Sequence, residues 1–134
     1  MISKRDVDIE SKVSYTKLAL KWCKKNLGIN TRKRKKLLLE ISEKRRKKGN
    51  NIYYGLYCCN KNKIVIYINN CDTIYDIIST IIHEYTHYLQ SSSLYRYYSK
   101  QYYYSQNPYE RQAKRYEEKY TKPCFKEIRK TINQ

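Results

Sequence analysis

What this chain lacks narrows its class before any motif is read. No apolar run approaches the roughly 20 residues that a membrane-spanning helix requires, so no membrane span is expected. The opening residues, Met1 to Asp6, contain no apolar core of the kind a secretory leader carries, which predicts an intracellular, cytoplasmic protein. The five cysteines, Cys23, Cys58, Cys59, Cys71 and Cys124, are odd in number and include no C-x-x-C pair. They make a poor disulfide framework and read as reduced thiols, some of them buried as small apolar residues. No internal repeat is evident, and no RNP, KH or zinc-finger pattern is present. Histidine occurs only at His83 and His87. That scarcity governs the functional assignment.

What is abundant is positive charge and tyrosine. In 134 residues there are 29 Lys and Arg against 12 Asp and Glu, a formal charge of +17, together with 17 Tyr. The length predicts one domain, residues 1–134, with one modest core. The charge predicts attraction to polyanions such as nucleic acid, an anionic membrane surface or an acidic protein. Lys, Asn, Ile and Tyr are all specified by AT-rich codons, while Ala is confined to Ala19 and Ala113. Part of the basicity is therefore expected to follow genome composition, as in AT-rich bacteria and large DNA viruses. A viral protein acting in a host cytoplasm fits that expectation.

Both histidines fall in one stretch, Ile74 to Gln90, where His83, Glu84 and His87 are ordered H-E-x-x-H. Ile74, Ile77, Ile78, Ile81, Tyr85, Tyr88 and Leu89 recur at helical spacing, and Asp72 or Thr73 is the expected N-cap. On a helix, residues four apart stand one above the other with Cβ atoms about 5–6 Å apart, so both imidazoles reach a single ion. Glu84 is offset along the same rim, placed to take a proton from a water on the metal rather than to join the ligands. Two satisfied core histidines are the bland alternative. Those would point with the Ile stripe, and these fall opposite it, on the face of Asp76, Thr80 and Gln90.

Around this stretch the pattern is α+β. Asp6 to Leu27 reads as an amphipathic helix with Val13, Leu18, Leu20 and Trp22 inward, Tyr15 and Cys23 at the margin, and Gly28 as its stop. Leu37 to Ile41, Ile52 to Cys58 and Ile64 to Ile68 read as three strands of a short, mainly antiparallel sheet, with Asn60 to Asn62 as a hairpin turn. A strand edge delivered beside a metal can hold an extended peptide. Two basic runs, Arg32 to Lys36 and Lys44 to Lys48, are candidate nucleic-acid contacts or plain solvated connections. The tract from Tyr95 to Tyr104 fits stacking on bases, the wall of a peptide cleft, or a packed connector. Asn107 and Pro108 open a further helix expected to end near Tyr120 at Lys122-Pro123, before a short C-terminal helix over Phe125 to Ile132.

A tetrahedral catalytic zinc takes three protein ligands and leaves one position open. With no third histidine, the third ligand is a carboxylate, a cysteine or absent. Among Glu110, Glu117, Glu118 and Glu127, Glu110 is favoured because it lies in the first turn of a helix able to pack against the HExxH helix. Asn107 and Glu110 also have the spacing of a capping box, which needs no metal. Cys71 and Cys124 are weaker alternatives.

HEYTHYLQ followed by NPYERQAKRYEEKY resembles the small gluzincins, zinc metallopeptidases with HExxH and a downstream helical Glu, and more narrowly the ImmA/IrrE-like and minigluzincin proteins. The resemblance spans Ile52 to about Tyr120. Many relatives carry an acid two residues after the ligand Glu, where this chain has Gln112. The resemblance implies a compact zincin-like domain: a backing N-terminal helix, a short twisted sheet, an active-site helix and a glutamate helix. It further implies Zn2+ on His83, His87 and Glu110, with Glu84 as general base in the hydrolysis of a protein or peptide substrate. The competing expectation is a nucleic-acid-associated or regulatory zinc-binding protein with restricted proteolysis or none.

Overall fold

A computed structural model of the chain describes residues 8–132. Helix α1 (Ile9–Asn26) starts where Asp8, in extended conformation, accepts a hydrogen bond from the Ser11 N–H. Asp6 and Val7, the expected start, lie outside the described residues. The helix ends at Leu27, and Gly28 follows at φ +89°, the left-handed conformation that glycine adopts without a Cβ penalty. Its inner face is Thr16, Ala19, Leu20, Trp22 and Cys23; Cys23 is fully in the core, whereas Val13 and Leu18 are half-buried.

The strands are β1 (Leu38–Ser42), β2 (Lys47–Lys48), β3 (Asn51–Ile52), β4 (Gly55–Cys58) and β5 (Lys63–Tyr67). The main sheet has the order β1-β5-β4. The β4–β5 ladder is the antiparallel hairpin signalled by Asn60 to Asn62, while β1 pairs with β5 in parallel, so the sheet is mixed. As the central strand, β5 buries successive residues from Ile64 to Tyr67, which suits its unbroken apolar run.

The expected strand from Ile52 to Cys58 is divided in two. Ile52 belongs to a separate β2–β3 hairpin, and Tyr53 and Tyr54 turn the chain before β4 begins. The corner is held by Asn70, whose side-chain amide donates to the carbonyls of both Arg46 and Tyr53.

Helix α2 (Ile74–Leu89) is entered through a capping box in which Thr73 and Asp76 satisfy each other's backbone N–H groups. Ile77, Ile78, Ile81, Ile82 and Tyr85 have no solvent exposure, and α2 packs against α1, the sheet and the last helix, which makes it the central element. Gly55 lets β4 lie close against it. A Cβ there would fall 2.7 Å from the Thr80 methyl and 2.8 Å from the Val65 carbonyl oxygen. Helix α3 (Ser92–Gln101), capped by Ser91, is short and buries none of its residues.

Helix α4 (Pro108–Ile132) runs through Pro123 without a break, so the expected stop near Tyr120 and the separate C-terminal helix are both replaced by one element. Proline removes one intrahelical hydrogen bond and crowds the preceding turn. Burial of Thr121, Cys124 and Ile128 on one face, the Tyr15–Phe125 stack, and the Trp22 indole N–H donating to Glu127 outweigh that local cost. Among the described residues, no helix is long and apolar enough to cross a membrane.

Candidate metal centre

His83 and His87 lie one turn apart on α2, their ring centroids separated by 5.0 Å. The first turn of α4 crosses them and brings Glu110 against both: Oε1 is 3.2 Å from His83 Nε2 and 3.0 Å from His87 Nε2. His83, His87 and Glu110 offer ligand atoms that all lie within 4.8 Å of one another. Two atoms each about 2.0–2.1 Å from a tetrahedral zinc are about 3.3–3.4 Å apart, so the two Glu110–histidine distances are close to those of ligands to one ion.

Helix capping does not compete for Glu110. Asn107 caps α4 by accepting the Tyr109 N–H, but its own N–H donates to the Tyr103 carbonyl, so the Glu110 carboxylate is not drawn back to the cap. Glu117 approaches from the next turns of α4, with Oε1 3.7 Å from His83 Nδ1. Cys71 and Cys124 are buried in the core outside this group.

Further residues orient the three. Gln90 Oε1 sits 2.7 Å from His87 Nδ1 while its amide nitrogen donates to the Tyr109 carbonyl and to Gln112 Oε1. That oxygen only accepts, so His87 Nδ1 is the donor in this contact, and Nε2 is the ring nitrogen turned to Glu110. Gln112 thus supports His87 from behind instead of facing the site. The Tyr95 hydroxyl donates to Glu110 Oε2, the oxygen turned away from the histidines' contact. Sequence reasoning marked the tyrosine tract but had no signal to single out Tyr95, whose role depends on how α3 packs against α4. Gln90 was legible only as a polar residue on the histidine face.

The electrostatics follow from burial and proximity. Burial alone would raise the Glu110 pKa, yet hydrogen bonds from His83, His87 and Tyr95 hold it well below the usual carboxylate range. For His83, burial opposes the charged form, but Glu110, Glu117 and the charge of Glu84 prevail and push it up to about 10. Glu84 is raised by burial, then pulled down by the two histidines and up again by Glu110 and Glu117. Among the described residues it has no hydrogen-bond partner, and its carboxyl lines the cleft.

That cleft, about 370 Å³, has His83, Glu84, His87 and Glu110 at its base, Gly55 to Tyr57 of β4 along one wall, and Ser92, Tyr95 and Arg96 of α3 along the other. Among the described residues, the outer edge of β4 carries no strand partner. Of the two basic runs, most side chains are exposed, though Lys35 and Arg45 donate to the Asn60 and Asn69 carbonyls and two others stand near the cleft. Lys33 donates to the Tyr57 hydroxyl and lies 4.6 Å from that ring, and Arg46 reaches the cleft rim. No protein-family model, curated protein or solved structure matches the chain.

Proposed function

We propose that the protein is a zinc-dependent metallopeptidase of the gluzincin type, in which His83, His87 and Glu110 hold the metal and Glu84 is the general base. The observation that carries this reading is the convergence of two imidazoles and a buried carboxylate on one point, with a second, unpaired carboxylate beside them in an open cleft. Two nitrogens and one oxygen are a donor set that suits zinc with a position left for water or substrate. A zinc ion held there supplies Lewis acidity, which lowers the pKa of a bound water to about 7 and polarises a carbonyl.

The chain's own groups perform the remaining work. Glu84 takes the proton from the attacking water and returns it to the leaving amine. The free edge of β4 pairs with the substrate backbone and sets the scissile carbonyl over the cleft floor. An oxyanion donor is drawn from the cleft tyrosines. Tyr95 and Tyr57 already donate to Glu110 and Asn62, and Tyr104 also bonds to Glu110, leaving Tyr53 for that role. The test compares zinc-loaded wild type with Glu84→Gln on a peptide substrate. Cleavage is expected to drop at least about 100-fold in the variant, with its zinc content retained; full activity in the variant removes the mechanism. In parallel, His83→Ala and Glu110→Ala are expected to purify without zinc, while Glu118→Ala, exposed on α4, keeps it.

A nucleic-acid-associated protein with restricted proteolysis is the second reading, favoured by the exposure of Arg32, Arg34, Lys44, Arg45, Lys47 and Lys48. Retention on DNA or RNA that weakens steeply with added salt supports it. Absence of retention at low salt ends it.

A further inference from the structure

The cleft holds two guanidinium groups, Arg46 and Arg96, neither in an ion pair with a carboxylate among the described residues. Arg46 is held in place. The Arg46 guanidinium lies 4.7 Å from the Tyr53 ring centroid and donates to the Tyr67 hydroxyl at 3.1 Å. Arg96, on α3, reaches across to Cys59 Sγ at 3.9 Å. Tyr53 precedes β4 and Cys59 follows it, so the two cations mark opposite ends of the unpaired edge.

At about 3.3 Å per residue, the four residues of β4 extend about 13 Å, and the flanking residues Tyr53, Tyr54 and Cys59 carry the edge past each end of the strand. A strand added to β4 therefore runs from one guanidinium to the other over about six residues. The acidic groups of the cleft, Glu84 and Glu110, lie on its floor beside the histidines, and a metal ion there offsets their charge. What the ends of the groove present to a bound peptide is then uncompensated positive charge. Arginine, with its planar fork of donors, is suited to carboxylates.

We propose that the cleft selects extended peptide segments carrying an Asp or Glu toward each end, about six residues apart, with Arg46 and Arg96 as the specificity-determining residues. This rests on the peptidase reading for the position of the scissile bond, but the binding preference is measurable without cleavage. A peptide is favoured over single-stranded nucleic acid as the occupant because the wall between the two cations is a strand edge, whose unpaired amides and carbonyls match another peptide backbone.

The test uses three fluorescent peptides of ten residues, based on Ser and Thr and identical except for a pair of Glu, Gln or Lys placed six apart. Dissociation constants are measured on zinc-loaded Glu84→Gln protein at 150 mM salt, where fields beyond about 8 Å are screened; kcat/KM is measured on zinc-loaded wild type. The Glu-pair peptide is expected to bind about tenfold tighter than the Gln-pair peptide, and the Lys-pair peptide weakest. In a background also carrying Arg46→Glu and Arg96→Glu, checked for zinc content and helicity, the order should invert. Lys47→Glu with Lys48→Glu makes the same charge change on the neighbouring hairpin and should keep the Glu preference.

Equal binding of the Glu and Gln peptides overturns the proposal, as does identical behaviour of the two double variants, which would reveal only net charge. Binding of an oligothymidine that is lost in the Arg46/Arg96 variant, with no peptide bound, also overturns it. If wild type cleaves all three peptides alike, the peptidase reading stands and this proposal fails. If Glu84→Gln shows the expected order but wild type cleaves none, the acidic-peptide site stands and the peptidase reading fails.

Discussion

Tyr95 takes Glu110 Oε2 while both histidines face Oε1, so the tyrosine fixes the rotation of the carboxylate about its last bond. Groups of this kind tune a metal site through its ligands. Tyr95→Phe is expected to weaken zinc binding by about 10–100-fold, read by competition against a chromophoric chelator; unchanged affinity would show that burial alone orients Glu110. Lys33 offers a second test at the residue scale. Burial lowers its pKa to about 8, with the nearby Cys59 opposing that shift, and its ammonium lies over the rings of Tyr57 and Tyr88. A lysine whose pKa is lower folded than unfolded opposes folding while the unfolded chain holds the extra proton. Its penalty is complete below about pH 8 and is relieved as pH rises from there toward the ordinary lysine value. Urea unfolding of wild type between pH 7.5 and 9.5 should therefore show stability rising relative to Lys33→Met; parallel curves would assign Lys33 an ordinary pKa.

Among the elements, α4 contains the clearest conflict between local and tertiary preference. Pro123 deletes one hydrogen bond in an exposed turn, yet the helix continues because Thr121, Cys124 and Ile128 are needed against α1 and α2. Pro123→Ala is expected to stabilise the protein by about 1–2 kcal/mol, the restored helix bond being partly offset by a freer unfolded chain. Denaturant midpoints measure it, and a loss of stability would mean that the ring itself packs usefully. Capping was readable in advance: Thr73, one of the two candidates with Asp72, and Asn107 with Pro108 lie at the helix starts they define, whereas the reciprocal bond from Asp76 was seen only in the structure. The parallel pairing of β1 with β5 and the division of the strand after Ile52 were not. Both depend on partners well separated in the chain, such as Asn70 on Tyr53 and Arg46.

For the molecule as a whole, the charge of +17 is poorly neutralised: Lys63 with Glu40, at 2.7 Å, is the one Lys/Arg–carboxylate ion pair among the described residues. Self-repulsion of that kind is long-ranged at low salt, where the Debye length is about 30 Å at 0.01 M, and falls to about 3 Å at 1 M. Raising NaCl across that range should stabilise the fold by about 1 kcal/mol or more, seen as an upward shift of the urea midpoint. A downward shift would mean that local attractions outweigh the net repulsion. The same excess leaves Arg46 and Arg96 without carboxylate partners beside the cleft.

The sequence by itself determined what local geometry controls. Histidines four apart with a glutamate between them share one face of any helix they form, and the Ile period together with Thr73 makes Ile74–Leu89 that helix. Only the tertiary structure decided which carboxylate meets them. Glu110 and Glu117 share one face of α4 two turns apart while Glu118 and Glu127 lie at other angles, and the crossing of α4 over α2 brings Glu110 to both imidazoles, leaves Glu117 at the margin beside His83 and turns Glu127 to Trp22. Tyr95, the Gln90–Gln112 brace and the free edge of β4 belong to the same class. Their positions are set by packing between segments far apart in the chain, which residue spacing does not encode.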